Sequence, residues 1–226
     1  TLTRDTDMES RVMRGYYDNV GATIEATRLR WVERGLYSIS AEGDHVAARL
    51  GNSVFHWQLT VSNSNRNEPD LRETIRQIEE NGRSRHLPLP ESGLRFFNQL
   101  EDRIYEPQAD WSKPFFKGAV SGVLKLGFRG TFRTRDFSAR RFRFVPVRTQ
   151  TIDFTAPANV VLGINNIRPD GFEIRENTRG TDTYNAAMDV YGGYAMADVA
   201  LGPRWRIVGG GRVEEANILG ETVDPV

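Results

Sequence analysis

The chain has 226 residues, 38% of them hydrophobic, with 30 basic and 30 acidic side chains and no cysteine. Balanced charge argues against a general nucleic-acid binder, which shows a basic excess, and the missing thiols exclude a disulfide framework, a thiolate metal site and a cysteine nucleophile. No apolar run of about 18 residues exists, which rules out a membrane helix, and the opening TLTRDTDMES has no basic and apolar leader pattern, so any export signal is expected to lie outside this sequence.

In chain order, residues 22–33 and 36–48 read as two strands joined near Arg34-Gly35, the second alternating Tyr37, Ile39, Ala41 and Gly43 with Ser38, Ser40, Glu42 and Asp44. A tight turn, Leu50-Gly51-Asn52-Ser53, precedes the cleanest alternation of the first half: Phe55, Trp57, Leu59 and Val61 against His56, Gln58, Thr60 and Ser62. The polar run SNSNRNEPD has the composition of a solvated loop. Residues 71–80 read as a strand, 82–91 as a loop with two prolines, and the next strand is expected to end near Trp111, with Pro114 and Gly118 bracketing a turn.

Residues 120–144 form the longest alternating segment, Leu124, Leu126, Phe128 and Phe132 opposing Lys125, Arg129 and Arg133. Residues 145–183 show little periodicity and are expected as a long functional or disordered connection. Two further strands then meet at Leu201-Gly202-Pro203, and from Trp205 onward Trp205, Ile207 and Val213 alternate with Arg206, Arg212 and Glu214. An apolar face opposite a charged face fits a soluble hairpin with its apolar side on a core, and equally a membrane barrel with that side on lipid. The expected connections alternate short (Gly51-Asn52), long (63–70), short (114–118), long (145–183) and short (201–203), an asymmetry of outer-membrane barrels.

The segments TRLRWVERGLYSIS, VFHWQLTVSNSNRNEPDLRE, LRFFNQLEDRIYEPQADWSKPF, TRDFSARRFRF and above all DVYGGYAMADVALGPRWRIVGGGRVE resemble the barrel of TonB-dependent outer-membrane receptors. The resemblance implies an all-β fold: antiparallel transmembrane strands belonging to a large, 22-stranded barrel with a plugged lumen, long extracellular loops and short periplasmic turns. It implies uptake of a scarce bulky nutrient (a metal chelate, cobalamin or an oligosaccharide), with the TonB complex, outer-membrane lipid and lipopolysaccharide as partners. No plug domain or TonB box is recognisable, so residues 1–226 are expected to be an internal piece of seven to nine strands; an independent eight-stranded barrel is the alternative.

No catalytic constellation, cofactor motif or metal-ligand spacing is visible, since His45, His56 and His86 are scattered; an enzyme is not expected. Lys125, Arg129, Arg133 and Arg135 share one strand face and are the candidate lumen-facing ligand contacts, with a network to neighbouring carboxylates as the competing reading. Arg140 falls on the other face, where lipopolysaccharide phosphates would be its partners. Trp57, Tyr191 and Trp205 are candidate interfacial aromatics. The competing function is a soluble or surface β-module that recognises a glycan or polyanion.

Overall fold

A computed structural model describes residues 1–147 and 151–222. Among these, nine strands form a single antiparallel sheet: β1 (Leu2–Tyr17), β2 (Ala22–Ala47), β3 (Ser53–Ile78), β4 (Ser84–His86), β5 (Leu94–Lys117), β6 (Val120–Pro146), β7 (Phe172–Glu176), β8 (Tyr184–Leu201) and β9 (Trp205–Thr222). The seven long strands run in the order β1-β2-β3-β5-β6-β8-β9, each beside its predecessor in sequence, while β4 adds to β3 and β7 to β6. β1 and β9 are the edges, so the sheet is open and not closed into a barrel. The 27 residues of β6 make a ribbon of roughly 90 Å at about 3.3 Å per residue.

The sheet is a single layer over most of its area. Its accessible surface of 15067 Å² far exceeds the roughly 10,400 Å² of a compact monomer of this size. The two ends also differ. At one end β2–β3, β5–β6 and β8–β9 are joined by short turns; at the other, residues 79–93 and 147–183 make long connections and only β1–β2 is tight. The turn after β2 works because Gly51 (φ 70°) and Asn52 (φ 57°) both enter the left-handed region, which glycine and asparagine tolerate best.

Several expected breaks are continuous strand. Arg34 and Gly35 lie inside β2, paired with Arg66 and Asn65. A Cβ at Gly35 would sit 2.7 Å from Asn65 Oδ1, so the Asn65 side chain would have to swing aside. The SNSNRNEPD run is the middle of β3, with its polar side chains in register between β2 and β5. Pro69 and Asp70 leave the β3–β5 ladder, where the register shifts between Glu68 and Leu71, and 68–71 leave the β2–β3 ladder. The long connection is therefore 79–93, not 63–70. β5 continues past Trp111 and Pro114 to Lys117.

Proline is tolerated in β5 at two places for a geometric reason. Alternate residues of a central antiparallel strand send their N–H groups to opposite neighbours. The β5–β6 ladder has a gap at Glu106 and Pro107, the residue with no N–H to give, and Pro114 lies beyond the last β3 partner, Ser112. β1, which has no counterpart in the sequence expectation, is a sixteen-residue edge strand paired throughout with β2.

The described part of the long connection is folded. Ile152, Phe154, Val161 (the last residue of α1, Ala158–Val161) and Phe172 pack on Phe144 of β6 as a small core. Phe144 and Phe172 meet edge to face at 5.7 Å. Arg76 of β3 clasps the segment, donating to Ala156 O at 2.8 Å and Thr155 O at 3.1 Å. His86 is fully buried beside it, its ring stacked on Phe154 at 6.1 Å and its backbone N–H donating to Phe154 O at 2.7 Å. Burial, helped by the Arg76 cation, pushes the His86 pKa down from 6.5 to about 4.

A histidine held neutral in this way stabilises the fold fully above its unfolded pKa, and that stabilisation is lost as pH falls from about 6.5 toward 4. The loss amounts to about 3 kcal/mol at roughly 1.4 kcal/mol per pH unit. Thermal unfolding between pH 7 and 4 should show the described protein losing this increment while His86→Leu loses less over the same range. Parallel pH profiles for the two proteins would remove His86 as the acid-sensitive group.

Candidate functional site

The face of the sheet that carries Tyr37, Ile39, Phe55, Leu59, Tyr105, Leu126, Phe128, Tyr191 and Ile207 is assembled by register. Ile39, Val61, Tyr105 and Phe132 stand in one row across β2, β3, β5 and β6. Phe55, Trp111, Leu126 and Ala195 stand in another, closer to the short turns. The result is an apolar band over roughly ten residues of β2, β3, β5, β6, β8 and β9 at the short-turn end. Its members are solvent-exposed: Phe55 by 42%, Leu126 by 50% and Val213 by 78%.

Aromatic rings gather toward the two edges of the band. Trp57, Trp111, Phe115 and Trp205 lie toward the turns; Tyr37, Tyr105, Phe132 and Tyr191 lie toward the long-connection end, with Phe132 and Tyr191 edge to face at 5.4 Å. Trp57 lies across Gly43, where a Cβ would come 2.8 Å from Nε1, and its indole donates to His45 Nε2 at 3.1 Å. Phe115 covers Gly122 in the same way. These glycines are the seats of rings from the neighbouring strand, and the ring restores the apolar cover that a glycine lacks.

The opposite face is charged and more enclosed. Glu68 (2% exposed) accepts from Arg30 Nε at 2.8 Å, Arg66 Nη2 at 2.7 Å and Asn98 Nδ2 at 2.8 Å. Asp102 (3% exposed) accepts from Arg133 Nε at 2.8 Å, from Arg133 Nη2, and from Arg135 Nη2 at 2.6 Å. Nearer the turns, Arg129 donates to Glu106 at 2.9 Å, Tyr194 donates to Asp110 at 2.6 Å, and Arg206 Nε donates to Asp198 at 2.7 Å. Tyr194 reaches two strands across because β6 is bare at Gly127, where a Cβ would lie 2.0 Å from the ring.

The four candidate ligand contacts are thus brought to one face of β6, but three of them are occupied. Arg129, Arg133 and Arg135 are held by carboxylates of β5. Among the described residues Lys125 alone of the four makes no hydrogen bond or ion pair. Arg140, on the other face, is bidentate to Glu176 at 2.9 and 2.8 Å and stacks over Phe142. That pairing, with the Thr178 hydroxyl, holds Glu176 down to about 2. A carboxylate network on neighbouring strands is the competing reading of the sequence, but its members are not legible there: a turn placed at 114–118 hides the β5–β6 register that sets Asp102 against Arg133 and Arg135, and Glu68 lies in a run that reads as a loop.

Among the described residues no group of three or more His, Asp or Glu side chains is placed to hold a metal ion, and no helix is long and apolar enough to cross a membrane. Comparison with protein-family models, with curated proteins and with solved structures returns no match.

An ion pair with one member buried costs far more to break than an exposed one, because the surviving charges keep their desolvation without a partner. Asp102→Ala should therefore destabilise the sheet by about 3 kcal/mol, whereas Glu106→Ala, whose Arg129 partner is half exposed, should cost about 1 kcal/mol or less. Denaturant unfolding of the two variants measures the difference; equal losses would mean that Asp102 is no keystone of the charged face.

Proposed function

We propose that this chain is a stretch of wall from an outer-membrane β-barrel of the TonB-dependent receptor type, serving uptake of a scarce bulky nutrient. The observation that carries the reading is the inversion of the two faces. In a soluble single-faced sheet the apolar side is covered and the charged side is wet; here the charged side holds the buried Glu68, Asn98 and Asp102 while Phe55, Leu126 and Val213 are open. A barrel in lipid has this arrangement, with the lumen inside and an apolar band of some 9–11 residues per strand outside, rimmed by aromatics.

The turn asymmetry supports the same reading. The band adjoins the short turns, which would be periplasmic, and the strands run on past it toward the long connections, which would be extracellular. Lumen arginines already paired with β5 carboxylates act as a rigid wall, and Lys125 is the cation left to meet an anionic solute. A soluble glycan- or polyanion-binding module would need a second layer over the apolar band, and among the described residues nothing covers it.

Spin labels at Leu126 and Lys125, adjacent on central strand β6, test the wall in bilayers. The Leu126 label should be accessible to oxygen and shielded from an aqueous nickel chelate, and the Lys125 label the reverse. Equal aqueous accessibility at both sites would sink the membrane reading. Uptake is tested separately: loss of the gene should abolish growth on one limiting iron chelate, cobalamin or oligosaccharide, and unimpaired growth on all three removes transport.

A further inference from the structure

We propose that the outer face of the sheet carries a groove that binds the neutral sugar headgroup of a membrane glycolipid, immediately beyond the apolar band. The proposal rests on the wall reading above and adds a ligand to it. The groove has a volume of about 660 Å³ and is lined by Tyr37, Asn63, Asn65, Asn67, Gln99 and Ser138, among others. It is built by register. The row Ile39–Val61–Tyr105–Phe132 is the last apolar row; the next holds Tyr37, Asn63, Arg103 and Thr134, the next Asn65, Glu101, Asp136 and Asn185, and the next Glu33, Asn67, Gln99 and Ser138. The face thus changes from hydrocarbon to polar side chains, amides among them, within one step along the strands.

Elsewhere on this sheet arginines and carboxylates are largely paired. In the groove the side chains of Asn65, Asn67, Gln99 and Ser138 make no hydrogen bond among the described residues, so their donors and acceptors face open space. Each amide offers two donors and an acceptor, the complement of a ring of hydroxyls, and the half-exposed Tyr37 supplies a flat apolar surface for a sugar face. Charge disfavours an anionic head: Arg34 and Arg66 are drawn to Asp5 and Glu68 on the opposite face and Arg103 is paired with Glu101, which leaves Glu33 and Asp136 against Arg4. A free sugar would use only the amides, whereas a glycolipid uses both halves of the surface, its acyl chains on Val61, Tyr105 and Phe132 and its hydroxyls on the rows above.

The test is lipid retention by the full chain in nanodiscs of phosphatidylcholine containing a minor fraction of digalactosyl diacylglycerol, with bound lipid counted by native mass spectrometry. The galactolipid should be retained about tenfold over its share, since two amide hydrogen bonds of ordinary strength give that factor or more. Asn67→Ala with Gln99→Ala should abolish the preference, as should Ser138→Leu, which fills the groove from β6. Retention in proportion to composition, or a preference that survives both variants, overturns the proposal and leaves the wall reading standing. Full competition by water-soluble digalactose overturns the glycolipid as the source. Failure of the chain to enter the bilayer removes the wall reading and this proposal together.

Discussion

A one-residue slip between β5 and β6 would carry Arg133 and Arg135 to the side of Tyr105 and Trp111, and leave Asp102 facing Thr134 and Asp136. Because side chains alternate strictly along a strand, register between neighbours decides which chemistry each face collects. Here it is held by interlocking parts. Carboxylates of β5 grip arginines of β6, the Tyr194 ring spans Gly127 to reach Asp110, and Trp57 and Phe115 lie in seats left by Gly43 and Gly122. Each fits in one register only, so side-chain geometry supplies the specificity that backbone ladders, alike at every residue, do not.

The charged face is better understood as fixing position than as a reservoir of stability. Burying Glu68 and Asp102 costs solvation, and the groups around them recover it only because every carboxylate oxygen accepts from at least one fixed donor. Arginine suits this task, since its planar fork engages two oxygens or two carboxylates at once. The one lysine on this face of β6, Lys125, lacks that fork and is left without a bond among the described residues. A wall of satisfied pairs presents little free charge to whatever lies beside it.

Much of the fold was legible wherever alternation was strong and both faces were distinct. Residues 55–62, 120–144 and those from Trp205 onward announced themselves, and so did the turns at Gly51 and Gly202. What failed was composition-based punctuation. Arg34-Gly35 and SNSNRNEPD look like turns because asparagine, glycine and proline usually are, but this sheet has a polar stretch on both of its faces beyond the apolar band, so no hydrophobic period marks it. β1 was hidden for the same reason. The carboxylate partner of Arg133 and Arg135 was out of reach until β5 and β6 could be aligned, since a cross-strand pair has no signature in sequence spacing.

The long connection illustrates how the far end of the sheet is held without a second layer. Beyond the apolar band the strands have polar side chains on both faces and little to bury, so their ladder would fray as edge and terminal strands do. The two long connections supply what is missing: Phe154 and Phe172 make a local core with Phe144 on β6, β4 from 79–93 and β7 from 151–183 thicken the ladder on β3 and β6, and Arg76 binds the 151–183 segment to β3 through backbone carbonyls. Bonding to carbonyls and not to side chains makes the clasp insensitive to the sequence of the loop it holds. A connection anchored at its base in this way leaves the polar rows below it unobstructed, and the amide groove opens in that interval, between the aromatic edge of the band and the small core above.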